Sequence, residues 1–172
     1  MKNLTLLLLF SLIFSSCKSI SPIVTTSKES SRVKKSHLEN RKTERLAGQL
    51  IDEASKNIGV KYKYGGTTKA GFDCSGLMYT VFNSQNIVLP RNSFAQSKIG
   101  TVVNQNRDQV QKGDLIFFKT DNSLSINHVG IVIEVNGDEI QFIHSSTSKG
   151  VIISSTKQLY YKNALVQINR IL

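Results

Sequence analysis

His128-Val129-Gly130-Ile131-Val132-Ile133-Glu134-Val135-Asn136-Gly137-Asp138-Glu139-Ile140-Gln141-Phe142-Ile143-His144-Ser145 reads as two apolar strands, 128–135 and 140–145, joined by a tight turn. On the first strand His128, Gly130, Val132 and Glu134 share one face while Val129, Ile131, Ile133 and Val135 fill the other; on the second, Ile140, Phe142 and His144 share a face. Register decides whether the two imidazoles meet. A two-residue Asn136-Gly137 turn pairs 135 with 138 and puts them on opposite faces. A three-residue Asn136-Gly137-Asp138 loop, or a bulge of the same effect, pairs 135 with 139 and sets His144 opposite Gly130, diagonal to His128. The second arrangement is expected.

Around this hairpin, further strands are predicted at 101–103, 114–118, 151–154 and 164–171, separated by Gly, Asn and Asp turns. Ahead of them Leu46, Ala47, Leu50, Ile51, Ala54 and Ile58 recur at three and four residues before Gly59, the pattern of a helix with one buried face. Asp73 then stands at an N-cap position and Leu77, Met78, Val81 and Phe82 form a second apolar stripe, so a helix begins at Cys74. Helices first and a meandering antiparallel sheet of five to six strands after them make an α+β layout.

The 172 residues and the charge of +10 are unevenly spent. Lys2 followed by the apolar run Leu4 to Phe14 and then Ser15-Ser16-Cys17 fits a signal peptide over residues 1–16, and the run is too short for the roughly 20 residues of a membrane span. Small residues directly before a cysteine resemble a lipoprotein lipobox, with Phe14 in place of the usual Leu; Cys17 is then the lipidated first residue of the mature chain. Residues 17–45 read as a basic, flexible tether, since Ser, Thr, Lys and Arg dominate and large apolar residues are scarce. Its eight basic and three acidic residues, with Lys2, account for six of the ten net charges, leaving about +4 to residues 46–172. A nucleic acid is therefore a poor partner; the basic stretch suits anionic lipid headgroups or wall polymer, or is a solvated linker. Lys18 after the lipidated cysteine, where Asp is associated with inner-membrane retention, gives a preference for the outer membrane.

With Cys17 acylated, Cys74 is the lone thiol of an exported chain. At the first turn of a capped helix, unpaired N–H groups and the macrodipole favour a thiolate, and Gly76 leaves room for substrate or a neighbouring strand. A buried small hydrophobe is the competing reading. His128 and His144, the histidines outside the tether, tip the balance toward chemistry.

Five ordered blocks carry a resemblance over about residues 46–172: Val60-Lys61-Tyr62-Lys63-Tyr64-Gly65-Gly66, Gly71-Phe72-Asp73-Cys74-Ser75-Gly76-Leu77, Leu89-Pro90-Arg91-Asn92-Ser93, Lys112-Gly113-Asp114-Leu115-Ile116-Phe117-Phe118 and Asn127-His128-Val129-Gly130-Ile131. In order and spacing they resemble the NlpC-type cell-wall peptidases of the papain-like clan. The resemblance implies a papain-like domain at 46–172 and an enzyme that hydrolyses amide bonds in the peptide stems of peptidoglycan. It further implies Cys74 as nucleophile, His128 as general base and acid, His144 as the residue orienting His128, Tyr62 as a donor to the tetrahedral intermediate, and Asp73 and Ser75 as groove-lining residues. Arg91 and Ser93 fit a scaffold role, and Tyr64 replaces the more usual tryptophan.

The chemistry agrees, because amide hydrolysis needs a nucleophile, a proton donor for the leaving amine and donors for the oxyanion. No metal or other cofactor is required, and no CxxC or HExxH spacing supports a zinc site built from Cys74, His128 and His144. The expected protein is a monomeric, lipid-anchored enzyme of the bacterial cell envelope whose partners are peptidoglycan stems and a membrane. Alternatives are a non-catalytic wall-binding lipoprotein, or an acyltransferase or amidase on the same scaffold.

Overall fold

The computed structural model describes residues 27–103 and 109–172. The expected signal peptide and Cys17 lie outside the described residues. In chain order the elements are α1 (Ser27–Ser55), β1 (Thr67–Thr68), β2 (Gly71–Phe72), α2 (Cys74–Asn83), α3 (Ser93–Gln96) and β3 (Thr101–Val102). There follow β4 (Leu115–Phe118), β5 (His128–Asn136), β6 (Glu139–Ser146), β7 (Gly150–Ser155), α4 (Leu159–Ala164) and β8 (Leu165–Arg170). The α+β reading holds. Among the described residues β3, β8, β4, β5, β6 and β7 lie side by side in that order as a six-stranded antiparallel sheet.

The sheet separates two cores. Leu115, Phe117, Val129, Ile131 and Ile143 meet Leu77, Met78, Val81 and Phe82 of α2 and Leu50 and Ala54 of α1. On the other face Ile116, Phe118, Val132, Phe142 and Ile168 pack with Tyr161 and Ala164 of α4. The central strand β4 is buried along its whole length because apolar layers cover both its faces, which is why it reads as an unbroken run, Leu-Ile-Phe-Phe, rather than an alternation.

The first helix corrects the tether. Residues 27–45, expected to be flexible, belong to the 29-residue α1, which at 1.5 Å per residue is about 43 Å long. Its residues 31–42 are exposed throughout, and among its described side chains only Ala47, Leu50 and Ala54 are buried. Scarce apolar residues exclude packing, but they do not exclude a solvated helix: there is no Pro after residue 22 until Pro90, no Gly before Gly48, and Lys, Arg, Glu and Leu are good helix formers. The helix ends at Ser55, four residues before Gly59, so Ile58 falls beyond it and is exposed.

The hairpin reaches the expected outcome by the bulge. Gly137 and Asp138 form a two-residue turn, with Asn136 paired to Glu139 and Val135 to Ile140. Gly137, at φ 56°, takes the positive φ that a primed turn requires at its first central position. This register alone would put the histidines on opposite faces. Between Glu134, paired with Gln141, and Val132, paired with Phe142, the register shifts, so Ile133 is an extra residue in β5. The bulge restores Ile131 opposite Ile143 and places Gly130 beside His144. It also breaks the simple alternation: Val135, not Glu134, turns to the second core.

Candidate active site

Asp73 caps α2 as expected. Its backbone is extended (φ −88°, ψ 174°), and its carboxylate accepts from the Gly76 N–H at 2.6 Å. The same oxygen accepts from Ser75 Oγ at 3.1 Å and Arg91 Nη1 at 3.0 Å, while the other accepts from Gly65 N–H at 2.8 Å and Arg91 Nη2 at 2.6 Å. Arg91 and its hydrogen bonds hold the Asp73 carboxyl below its ordinary range against the opposing effect of burial. Arg91 thus has the scaffold role its sequence block suggests. Asp73 and Ser75 are both buried at the entrance of the cysteine helix, in a network that fixes where α2 starts.

Gly76 has its space taken by protein. A Cβ there would stand 2.0 Å from the Gly66 carbonyl oxygen, so the loop after Tyr62, not an open groove, makes the close approach. We expect Gly76→Ala to cost at least about 1–3 kcal/mol, as overpacking does, and to lower the thermal midpoint in calorimetry. An unchanged midpoint would mean the loop yields freely.

Cys74, 8% exposed, lies where α2 meets the start of β5. Its Sγ is 3.8 Å from the Asn127 carbonyl oxygen, and the Val129 N–H also addresses the sulfur, so the residues on both sides of His128 touch it. Burial pushes the thiol up to about 11, the charge of Asp73 pushes the same way, and the N–H groups of Ser75, Val129 and Cys74 itself oppose them without prevailing. The expected thiolate is therefore not the resting form. A helix N-terminus stabilises an anion, but here desolvation outweighs it.

His128 Nε2 and His144 Nδ1 are 2.7 Å apart, with the rings at 83°. This is a hydrogen bond between two nitrogens; as ligands of one zinc ion both would turn their lone pairs to the metal and not to each other. Among the described residues no cluster of three or more His, Cys, Asp or Glu is arranged to hold a metal ion. His144 is fully buried, and its Nε2 meets Ser154 Oγ at 2.9 Å and Tyr161 OH at 3.2 Å. Phe118, Phe142 and Tyr161 wall the pair in. Burial drives His128 down to about 4 and His144 to about 3, so both are neutral at pH 7.

A depressed histidine favours the neutral form in the folded state. The stability it contributes is complete above the ordinary value near 6.5 and is lost as pH falls through the folded value near 4. Acidification from pH 7 to 4 should therefore destabilise the domain by on the order of 3 kcal/mol for His128. Urea titrations at both pH values test this, and a midpoint that does not move over that range would contradict it.

Tyr62 is half-buried and bridges to Phe72 in parallel fashion. Burial raises its phenol, and the charges of Cys74 and Asp73 act in the same direction. The Asn127 side chain, beside His128, is tied to the Thr120 backbone at 2.8 Å and 3.1 Å. His128 also walls a cavity of about 340 Å³ with Asp121, Ser146, Lys149 and Tyr160; Cys74 does not line it.

The NlpC/P60 family pattern matches residues 59–170. The chain belongs to the NlpC/P60 family. The murein DD-endopeptidase MepS/murein LD-carboxypeptidase of Escherichia coli (strain K12) is 38% identical over 128 residues, covering 74% of this chain and 64% of that protein. The probable endopeptidase NlpC of the same organism is 40% identical over 127 residues, covering 73% of this chain and 78% of that protein. The crystal structure of an NlpC/P60 family protein from Bacillus cereus ATCC 10987 superposes with a TM-score of 0.65 at 34% identity, covering 73% of this chain and 40% of that one. This chain thus spans 64% of the length of MepS, and its papain-like α+β fold is that of the NlpC/P60 domains.

Sequence reasoning singled out Cys74, His128 and His144, and the structure joins His128 to His144 and sets the backbone on both sides of His128 against the Cys74 sulfur. It missed Ser154 and Tyr161. Tyr161 falls between two predicted strands in a segment without periodicity, and only the tertiary packing of α4 carries it to His144.

Proposed function

We propose that this NlpC/P60 member is a cysteine endopeptidase that hydrolyses amide bonds in peptidoglycan stem peptides or cross-links. The observation that carries the reading is the 2.7 Å bond between His128 and His144 in a segment whose flanking residues touch the sulfur of a lone capped cysteine. The murein endopeptidase activity for which MepS is named, and the glutamyl hydrolysis for which the γ-DL-glutamyl hydrolase of Bacillus subtilis, 43% identical over 115 residues, is named, support the substrate class.

In this reading His128 takes the Cys74 proton as sulfur attacks the scissile carbonyl carbon. The C–S bond forms as the carbonyl π pair moves to oxygen, where the Cys74 N–H and Tyr62 stabilise the negative charge. Collapse breaks the C–N bond and His128 returns its proton to the leaving amine; water, deprotonated by His128, then adds to the thioester carbonyl, the C–S bond breaks with its electron pair on sulfur, and His128 gives the proton back to Cys74 as the carboxylic acid leaves. Asp73 and Ser75, buried and hydrogen-bonded with Arg91, hold the start of α2 and with it the position of Cys74. Digestion of purified peptidoglycan by the full chain, with the fragments weighed by mass spectrometry, should show new amine and carboxyl ends at a stem amide. Binding to sacculi without new fragments would instead support the non-catalytic reading.

We further propose that Cys17 is lipidated and holds the enzyme at the cell envelope, with the exposed part of α1 as a spacer. Cys17→Ala should shift the protein from the membrane to the soluble fraction while leaving the activity of the purified protein intact. Unchanged partition, with no fatty acid incorporated by the wild type, would contradict the anchor. Two or more acyl chains are expected, since one binds a membrane only marginally.

A further inference from the structure

We infer that Ser154 and Tyr161 are positioning residues that fix the tautomer of His144, and thereby leave Nδ1 of His128 as the nitrogen that takes a proton from Cys74. The inference rests on the catalytic reading of Cys74 and His128, but its physical content is a proton position that can be observed without turnover.

His144 Nε2 faces two hydroxyl oxygens, Ser154 Oγ at 2.9 Å and Tyr161 OH at 3.2 Å. A neutral imidazole carries one N–H and one lone pair. If Nε2 held the lone pair, one hydroxyl could donate to it and the other oxygen would be left facing a lone pair in a buried site. If Nε2 carries the hydrogen, both oxygens accept from it, and each hydroxyl keeps its own proton for another partner. The Ser154 hydroxyl then donates to the Tyr161 oxygen, a bond that works to lower the phenol against the upward effect of its burial. The Nε2–H form satisfies every contact.

That choice propagates. With hydrogen on Nε2, His144 Nδ1 has the lone pair and accepts at 2.7 Å from Nε2–H of His128. His128 Nδ1 then has a free lone pair and can act as a base toward the thiol. In the opposite tautomer His144 Nδ1–H would donate to His128 Nε2, the Nδ1 of His128 would carry hydrogen, and it could not receive the Cys74 proton. Because His144 has no charge with which to orient its neighbour, as a carboxylate would, the two hydroxyls do this work. They come from elements on either side of His144: Ser154 from β7, which pairs with the strand carrying His144, and Tyr161 from α4.

The test is ¹⁵N NMR of the imidazoles of the full chain at neutral pH, alongside kinetics on peptidoglycan fragments, for Tyr161→Phe, Ser154→Ala, the double variant and Ser154→Thr. Tyr161→Phe keeps the ring that packs on Phe118 and Phe142 at 5.4 Å and 5.1 Å. In the wild type, His144 Nε2 should show a protonated signal and Nδ1 an unprotonated one. The double variant should show averaged signals from both tautomers, with kcat lowered about 10- to 100-fold and KM nearly unchanged. Each single variant should fall between, and Ser154→Thr should recover most of the loss because it keeps the hydroxyl. Should Ser154→Ala not fold, Tyr161→Phe and Ser154→Thr carry the comparison. A wild type with its hydrogen on His144 Nδ1, or variants with the wild-type tautomer and wild-type kcat, would overturn the inference. A wild type with the stated tautomer and no turnover would leave this assignment standing and refute the catalytic reading instead.

Discussion

Cys74→Ala should lower hydrolysis of peptidoglycan fragments by on the order of 10⁴-fold or more, while the domain stays folded. The size follows from the chemistry: without the sulfur no acyl-enzyme forms at the start of α2, and general-base activation of water in the same pocket is a much weaker route. Stability should change little, by about 1 kcal/mol, because only one sulfur leaves a site near the surface end of the core. Cys74→Ser should be almost as inactive, since its oxygen is a poorer nucleophile at the same position. The resting protonation state gives a second check. With the thiol up near 11 and His128 down near 4, the neutral pair exists over the whole range between them, so kcat/KM should form a broad plateau that falls off toward those two values. Iodoacetamide should label Cys74 more slowly than a free thiol at neutral pH, because most of the sulfur is protonated and it is 8% exposed. Fast labelling at mildly acidic pH would show a thiolate–imidazolium pair, and turnover persisting after complete alkylation would remove Cys74 from the reaction.

The parts of this site that were legible in the sequence are those with a short-range physical signature. Asp73 before a stripe at 77, 78, 81 and 82 marks a cap, and the helix starts at Cys74 for that reason. The hairpin strands were readable from alternation, but alternation cannot locate an inserted residue, so the bulge at Ile133 appeared only as an alternative route to the same facing. The thiolate was misread for a different reason. A dipole argument uses the local helix, whereas the burial that opposes it is a tertiary property: the Asn127 carbonyl meets the sulfur from 53 positions away. The same holds for α1. Composition says which residues cannot be buried, and 31–42 are indeed exposed, but it does not distinguish a solvated coil from a solvated helix.

His128→Ala should reduce turnover by about 10³- to 10⁴-fold, and His128→Asn or His128→Gln should do no better, because neither amide can accept the thiol proton and return it to the amine. Replacing His144 should separate the two roles. Its Nδ1 only accepts a hydrogen bond from His128 at 2.7 Å, so His144→Asn or His144→Gln, which keep an acceptor, should retain more activity than His144→Ala. The alanine variant should lose about tenfold to a few hundredfold, less than loss of the nucleophile, since orientation is one contribution among several. The comparison also decides between orientation and mere packing. His144 is fully buried among Phe142 and Tyr161, so His144→Ala opens a cavity and lowers stability in any case. His144→Phe fills that space without an acceptor. If packing were all that mattered, Phe would outperform Asn; if His144 holds the imidazole through its lone pair, Asn outperforms Phe in kcat even where Phe is the more stable protein. Steady-state kinetics and thermal midpoints on the same four variants distinguish the two, and equal kcat for Asn, Gln, Ala and Phe would show that His128 needs no orienting partner.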